Sequence, residues 1–128
     1  MDPISDMIIR IKNTIANNEK ELIVPSSKFK IKVLEVLKNE NYVSDFSEST
    51  ENNKKMINIK LKYENKLPLI THFKKISKPG LRIYKGYKDI PRPLNNMGLV
   101  IVSTPDGVIS GRDARRKKIG GELICEVY

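Results

Sequence analysis

The segment from Leu99 to Val127 reads LVIVSTPDGVISGRDARRKKIGGELICEV, and its pattern decides the fold of the second half of the chain. An apolar run enters the segment and another leaves it, which predicts a strand at each end. Between them lie a polar turn at Ser103–Gly107, a basic helix that Ser110 can cap and that runs to Lys118, and the pair Gly120-Gly121. We expect the part of this segment from Val102 to Glu122 to carry the function.

The strands around this segment complete an antiparallel arrangement. The flanking strands are predicted over 98–103 and 122–128, and a further strand is predicted over 70–76. In Lys78-Pro79-Gly80-Leu81 the proline and glycine are placed for a type II turn, after which Leu81 to Lys85 returns as a short strand. The second half is therefore expected to be mostly β with one short helix.

The first half alternates helices and strands. A helix with a stripe of isoleucines is predicted after Pro3, and a second one, capped by Ser26 or Ser27, follows a short strand that Pro25 stops. Four lysines of this second helix are expected on its wetter sides. The predicted elements beyond it are a strand over 42–46, a hairpin loop over 47–55 and an alternating strand over 56–63. The four lysines are Lys28, Lys30, Lys32 and Lys38.

These elements predict an α+β protein of two small subdomains. Residues 1–66 would form an N-terminal α-β-α-β-β layer, and residues 67–128 a C-terminal, mostly antiparallel β subdomain with one short helix. A chain of 128 residues can bury enough apolar surface to fold without disulfides. It has a single cysteine, so an internal disulfide and a multi-cysteine zinc site are excluded.

Charge is unevenly distributed along the chain. Residues 1–65 hold 11 Lys or Arg against 10 Asp or Glu, whereas residues 66–128 hold 13 against 5. Of the net charge of +9, the second half therefore carries +8. A neutral scaffold beside a basic half indicates an anion-binding face, for which nucleic acid is the commonest partner. The alternative is that the positive charge serves solubility alone, which would not require it to be segregated.

No targeting or membrane segment is evident. The sequence Met1-Asp2-Pro3 is acidic and is followed by an amphipathic stretch, so we expect no secretory signal. No apolar run approaches the roughly 20 residues that a membrane span needs. We expect no membrane partner, no small-molecule substrate, no cofactor and no metal.

The turn and the glycine pair have groups suited to RNA. Hydroxyls of Ser103 and Thr104 can bond base edges or 2′-hydroxyls, and Pro105 offers a flat apolar face to a base. Gly107 and the pair Gly120-Gly121 would allow nucleic acid to approach the main chain closely. Glu122 could accept bonds from a base amine or brace arginines that hold phosphates. The same five-residue turn, taken alone, is also an ordinary β-turn.

The basic helix would add contacts to phosphates. Short polar groups, glycine and one acid suit the shallow minor groove of an irregular RNA helix better than the major groove of DNA. The cations concerned are Arg112, Arg115, Arg116, Lys117 and Lys118.

Catalysis finds little support in the sequence. There is no phosphate-binding loop, dinucleotide fingerprint or nucleophile elbow. His72 lies in a predicted strand, where a lone histidine is more often a packing residue than a ligand. Cys125 alternates with Leu123 and Val127, which indicates a core position. We expect no catalytic residue, and an enzyme acting at Ser103 or His72 ranks last among the hypotheses.

Six stretches, taken in order, resemble the motifs of a known family. That family is the eighth protein of the small ribosomal subunit, of bacterial or organellar type, and the resemblance spans residues 2–128. The stretches are Asp2-Pro3-Ile4-Ser5-Asp6-Met7-Ile8, Arg10-Ile11-Lys12-Asn13, Pro25-Ser26-Ser27-Lys28, Ser77-Lys78-Pro79-Gly80-Leu81-Arg82-Ile83-Tyr84, Val102-Ser103-Thr104 and Gly120-Gly121-Glu122.

The resemblance implies a structural protein of the small subunit, in the cytoplasm or in an organelle. It implies binding to a helix of the central domain of small-subunit rRNA early in assembly, beside neighbouring ribosomal proteins. In some bacteria, family members also repress translation of their own messenger. The implied RNA-binding residues are Ser103, Thr104, Pro105, Gly107, Gly120, Gly121, Glu122 and Tyr84, with a second surface at Arg10, Lys12 and Lys28.

Two positions of the turn depart from the family pattern. Pro105 stands where many members have serine, and Asp106 where a basic or polar residue is frequent. A rival to the ribosomal hypothesis is a free-standing RNA chaperone or regulator that uses the same face. Specificity and salt dependence of RNA binding separate the two.

Overall fold

The computed structural model describes residues 2–128, which divide into two compact units. One unit is Pro3–Ile70 and the other is Thr71–Tyr128, with Asp2 grouped with the second. The fold is α+β, with helices and antiparallel strands in the first unit and a mostly β second unit that carries a short helix. No helix within residues 2–128 is long and apolar enough to cross a lipid bilayer.

The N-terminal unit packs two helices on a three-stranded sheet. Its elements are α1 (Pro3–Ala16), β1 (Glu21–Pro25), α2 (Lys28–Asn39), β2 (Val43–Glu51) and β3 (Lys54–Leu61), with the sheet order β1-β3-β2. A two-stranded hairpin follows, formed by β4 (Tyr63–Glu64) and β5 (Leu67–Pro68). Alternate residues of β3 are buried, as its period of two requires. The buried residues include Ile4, Met7, Ile8, Ile11, Val33, Leu34, Leu37, Ile57 and Ile59.

The hairpin predicted around residues 47–55 is present, but its loop is much shorter than predicted, because the strands extend through most of this stretch. Strands β2 and β3 pair from Val43 opposite Leu61 to Glu51 opposite Lys54. The turn consists of Asn52 (φ 50°) and Asn53 (φ 64°), and two successive left-handed residues are typical of a two-residue type I′ turn. The exposed polar residues of this arm contribute no hydrophobic pattern, so only the two asparagines signalled the turn.

The prediction that Lys30 lies on a solvent-exposed side of α2 is also wrong. The residue is buried rather than on a wet face of α2, and its Nζ donates a 2.8 Å hydrogen bond to the Pro25 carbonyl oxygen. Burial lowers the pKa of this amine, an effect that Asp6 opposes and Arg10 reinforces. The cap of the same helix is as predicted for one of the two serines, since Ser27 Oγ accepts from the Lys30 N–H at 3.2 Å.

The C-terminal unit is built on a five-stranded antiparallel sheet. The strands are β6 (Phe73–Lys75), β7 (Tyr84–Lys85), β8 (Leu99–Thr104), β9 (Gly107–Ser110) and β10 (Gly121–Val127). Their order in the sheet is β6-β10-β8-β9, and β7 also pairs with β10. A 3₁₀ turn (Tyr87–Asp89), a single turn α3 (Pro93–Asn96) and a helix α4 (Gly111–Lys117) connect the strands.

Helix α4 covers one face of this sheet. Ala114 packs with Val100, Val102, Leu123 and Ile90 in a buried cluster. Ser110 caps the helix as predicted, accepting from the Asp113 N–H at 3.1 Å, and Lys118 ends it in the left-handed conformation (φ 58°).

Two predictions for this unit need correction. Strands β6 and β7 are shorter than the stretches expected to form them. The turn at Lys78–Leu81 is closed by two backbone hydrogen bonds between its end residues, but it is not type II. Within residues 2–128, Gly107 is the one glycine with positive φ, and a type II turn would need positive φ at Gly80.

Candidate nucleic-acid interface

A row of side chains crosses the C-terminal sheet close to the end of β8. On β10, Glu122 lies opposite Ser103 of β8 on one side and opposite Tyr84 of β7 on the other. Val108 of β9 continues the row, since it lies opposite Ser103. Directly opposed residues of antiparallel strands project to the same face, so these side chains form one surface row. Tyr84 is its most prominent member, with 67% of its surface exposed.

The glycine pair allows these strands to approach. A Cβ at Gly121 would collide with the carbonyl oxygen of Ser103, and a Cβ at Gly120 would collide with the carbonyl oxygen of Lys85. The sequence had suggested that both glycines admit nucleic acid to the main chain. In the structure, the space next to each glycine is filled by the backbone of a neighbouring strand. The two glycines therefore allow β8 and β7 to lie close to β10, with Ser103 beside Glu122.

Glu122 braces an arginine. Its Oε2 lies 3.2 Å from Nη1 of Arg82, while the Arg82 side chain stays half exposed. This is one of the two roles that the sequence allowed for the carboxylate. The pair orients a guanidinium at the edge of the row, where its remaining N–H groups face solvent and can bind phosphate.

Thr104 does not have the exposed hydroxyl that we expected. It is 9% exposed, and its Oγ1 donates a 2.8 Å hydrogen bond to the Gly107 carbonyl oxygen and accepts one from the Asp106 N–H at 3.1 Å. The expectation failed because strand alternation directs Ser103 and Thr104 to opposite faces of the sheet. Thr104 therefore fixes the shape of the loop, and Ser103 is the hydroxyl on the row.

The tip of the loop is the part that solvent reaches. Pro105 and Asp106 are both exposed. Gly107 has φ 116°, a conformation that side chains rarely adopt, and the space where a Cβ would stand is open. Gly107 is thus required by the backbone of the turn, and Pro105 offers its ring outward beside the row.

The cations of α4 fall into two groups. Arg116, Lys117 and Lys118 are exposed, and Arg116 pairs with Asp113 at 3.2 Å. Arg112 and Arg115 instead reach back to Asn96, which precedes β8. Because α4 packs on the face occupied by Val100 and Val102, it lies on the opposite face from the row.

The remaining predicted contacts belong to the N-terminal unit. Arg10 is exposed on α1 and pairs with Asp6 at 3.0 Å, while Lys12 and Lys28 are exposed on α1 and α2. The candidate residues chosen from the sequence did not include Arg82 or Asn96, which the structure places next to several of them. Arg82 could have been found from its place in the motif that ends at Tyr84, whereas Asn96 gives no signal before the fold is known.

His72 and Cys125 both pack against neighbouring residues, as their positions in the predicted strands indicated. His72 stacks on Tyr128 with 4.3 Å between ring centroids, and its Nε2 lies 3.0 Å from Oε1 of Glu126. Cys125 is buried in the sheet, and burial raises the pKa of its thiol to about 12. A buried thiol of such high pKa is a poor nucleophile.

Comparison with known proteins identifies the family. The profile of the family described as Ribosomal protein S8 matches residues 2–128. The chain is 45% identical over 127 residues to small ribosomal subunit protein uS8 of Pelagibacter ubique, covering 99% of this chain and 97% of that protein. It is 46% identical over 126 residues to the protein of the same name from Burkholderia cenocepacia, covering 98% and 96%.

A third relative, the uS8 protein of Mycoplasma mobile, is 42% identical over 127 residues, with coverage of 99% and 96%. The match thus extends over both units and includes the row, the loop and the glycine pair. The chain belongs to the ribosomal protein S8 family, a family of structural, non-enzymatic components of the small ribosomal subunit.

Proposed function

We propose that this protein binds small-subunit rRNA directly, through the row Tyr84–Glu122–Ser103 and the loop tip at Pro105. The observation that carries the proposal is the row itself. Three strands bring an aromatic ring, a carboxylate and a hydroxyl onto one face, and Gly120 and Gly121 make the spacing possible. A packed core does not require this arrangement, since Tyr84 is largely exposed.

The chemistry of the row suits an irregular RNA helix. The wide, shallow minor groove of A-form RNA presents 2′-hydroxyls and base edges, which the Ser103 hydroxyl can bond both as donor and as acceptor. The Tyr84 ring can stack on an unpaired base, and Arg82, held by Glu122, can bind a phosphate at the groove edge. The row supplies selectivity and the surrounding cations supply affinity.

The finer assignments come from the resemblance. We place the RNA site in a helix of the central domain of small-subunit rRNA, with the protein binding early in assembly beside other small-subunit proteins. On this proposal the protein resides in the ribosome. Arg10, Lys12 and Lys28 would form a separate contact surface on the N-terminal unit. Family membership over nearly the full chain supports each of these assignments.

A competition experiment tests the proposal. The full chain is titrated with a labelled central-domain transcript at ~150 mM salt, against an unlabelled central-domain transcript or an unrelated duplex of equal length. Specific complexes are typically 10³–10⁷ tighter than non-specific ones for nucleic-acid readers, so we expect preference by at least two orders of magnitude. Equal competition by both RNAs would instead support the rival hypothesis, in which the protein is a free-standing RNA chaperone or regulator.

The same assay addresses repression of the protein's own messenger. Repression requires that a segment of that messenger reproduce the ribosomal site, so the messenger should compete within about tenfold of the central-domain transcript. Competition no better than that of the unrelated duplex would exclude repression of the protein's own messenger while leaving the proposed rRNA binding intact.

A further inference from the structure

Asn96 binds the side chains of two arginines and the backbone of a third. Its side-chain Oδ1 accepts a 2.7 Å hydrogen bond from Nη2 of Arg115, and its carbonyl oxygen accepts one of 2.6 Å from Nη2 of Arg112. Its own N–H donates to the carbonyl oxygen of Arg92 at 3.3 Å. Each polar group of Asn96 except the amide nitrogen of its side chain is thus engaged with an arginine.

The turn that presents Asn96 is conformationally costly. Leu94 (φ 50°), Asn95 (φ 53°) and Asn96 (φ 71°) are three successive left-handed residues, and this conformation is unfavourable above all for Leu94. Leu94 and the following Met97 are also exposed apolar side chains. Strained backbone is retained where the surrounding structure or a function requires it.

The cluster Arg92–Arg112–Arg115 carries positive charge without a partner acid. Among residues 2–128, the ion pairs that arginines form involve Arg10, Arg82 and Arg116, and none of the three cluster members. Burial, then Arg92, then Arg112 lower the pKa of Arg115, and no carboxylate opposes them. Nη1 of Arg115 lies buried over Gly111, with no hydrogen-bond partner in the described part of the chain.

This cluster lies away from the row. Asn96 precedes the first residue of β8, Leu99, whereas Ser103 is near its last. Four residue steps along a strand cover about 13 Å. The helix that carries Arg112 and Arg115 also lies on the opposite face of the sheet from Ser103. The row and the cluster therefore face different sides of the sheet, and we assign them to different RNA segments on that ground.

We propose that the cluster Arg92–Arg112–Arg115, organised by Asn96, is an oxyanion site for a phosphodiester group of an RNA segment other than the one bound by the row. The inference rests on the proposed RNA-binding function and extends it to a second RNA contact. Guanidinium groups fit phosphate oxygens in pairs, and a phosphate would neutralise the mutual repulsion that the protein leaves uncompensated. Asn96 is a positioning residue for this site.

Tethered cleavage tests the two contacts separately. Met97 is 78% exposed beside the cluster, and Asp106 is exposed at the loop tip. Met97→Cys and Asp106→Cys each accept a thiol-reactive iron chelate that generates hydroxyl radicals. The native Cys125 is buried, and its pKa of about 12 leaves it unmodified at neutral pH. Each labelled full-length protein is bound to small-subunit rRNA, and the strand breaks are mapped.

We expect cleavage from position 106 at one RNA segment and from position 97 at another. Arg92→Ala combined with Arg112→Ala should abolish the breaks from position 97 and keep those from position 106, whereas the matched charge removal Lys54→Ala with Lys55→Ala should keep both. Breaks from position 106 without any from position 97 overturn the second contact and leave the proposed function standing. If neither labelled protein cleaves the RNA while all its arginines are intact, the proposed function itself is overturned.

Inorganic phosphate distinguishes a free anion from RNA. Phosphate titrated into the unbound protein is followed through the Nε–H signals of the arginines. Saturable shifts of Arg92 and Arg112 with no RNA breaks from position 97 would assign the site to a free oxyanion and overturn the RNA assignment. Asn96→Gly keeps the left-handed backbone but removes Oδ1, and it should weaken both the shifts and the breaks from position 97.

Discussion

Gly121 lies against the carbonyl oxygen of Ser103 so closely that no side chain fits at position 121. The contact joins β10 to β8 at the point where Glu122 and Ser103 are opposed. A residue type that the sequence associates with nucleic-acid approach thus serves first to bring two strands together. The polar row exists because the backbones beneath it are this close.

Gly121→Ala should therefore destabilise the C-terminal unit. Overpacking of this kind costs about 1–3 kcal/mol, and more when the obstacle is backbone rather than a flexible side chain. Gly86→Ala is the matched control, because its Cβ would meet open space and its φ is ordinary. The melting temperatures of the two variants, measured by thermal unfolding, test this prediction. A Gly121→Ala protein as stable as Gly86→Ala would show that the strands can separate without cost.

The sequence predicted β8, α4 and β10 because apolar runs, a serine cap and a glycine pair are local signals. It did not predict β9, a strand of four residues that continues the turn after β8. It could not predict which face each residue occupies at the end of a strand. Ser103 and Thr104 look equivalent as neighbours, yet one joins the row and the other closes the loop. The hairpin β2–β3 was predicted with too long a loop, because the exposed outer part of its strands has no apolar face to read.

Long-range hydrogen bonds were equally beyond the sequence. Arg112 and Arg115 looked like ordinary members of a basic helix, and their common partner is about 16–19 residues earlier in the chain. Local patterns report periodicity and caps, whereas this arrangement depends on where the turn before β8 comes to lie.

Thr104→Ala should lower stability as well as RNA binding. The substitution removes the acceptor of the Asp106 N–H and the donor to the Gly107 carbonyl oxygen, two bonds of a buried hydroxyl. The expected loss is about 1–3 kcal/mol in the free energy of unfolding. Thr104→Ser retains the hydroxyl and should restore most of the loop. Chemical denaturation followed by RNA titration of the folded protein checks both effects. Full stability in Thr104→Ala would mean that the loop does not depend on this hydroxyl.

The two groups of α4 cations should respond differently to substitution. If they face RNA phosphates, Arg116→Ala with Lys117→Ala should reduce the slope of log affinity against log salt by up to about 1.4–1.8, with no loss of stability, because both side chains are exposed. Arg115→Ala should disturb the fold in addition, since it removes the bond to Asn96. An unchanged slope in the double variant would place that part of the helix away from RNA.

Cys125 should make stability fall at alkaline pH. Its pKa is raised to about 12 in the folded protein from an ordinary value near 9, so the folded state keeps a proton that the unfolded state loses. The stabilising difference is complete below pH ~9 and decreases above it by about 1.4 kcal/mol per pH unit. Cys125→Ala should remove this contribution, although lysines and tyrosines titrate in the same window. The free energy of unfolding is therefore measured against pH for the unsubstituted protein and for Cys125→Ala. Identical slopes would contradict the contribution assigned to the Cys125 thiol.

Tyr84 offers the most direct test of the row as an RNA-reading surface. Base stacking on an aromatic ring contributes about 1–3 kcal/mol, so Tyr84→Ala should weaken binding to the central-domain transcript by roughly 5- to 150-fold. Because the side chain is 67% exposed, the melting temperature should not change, and because it is uncharged, the salt slope should persist. Leu81→Ala is the control, an exposed apolar side chain of the same segment that is not part of the row. Wild-type affinity in a folded Tyr84→Ala protein would contradict the account.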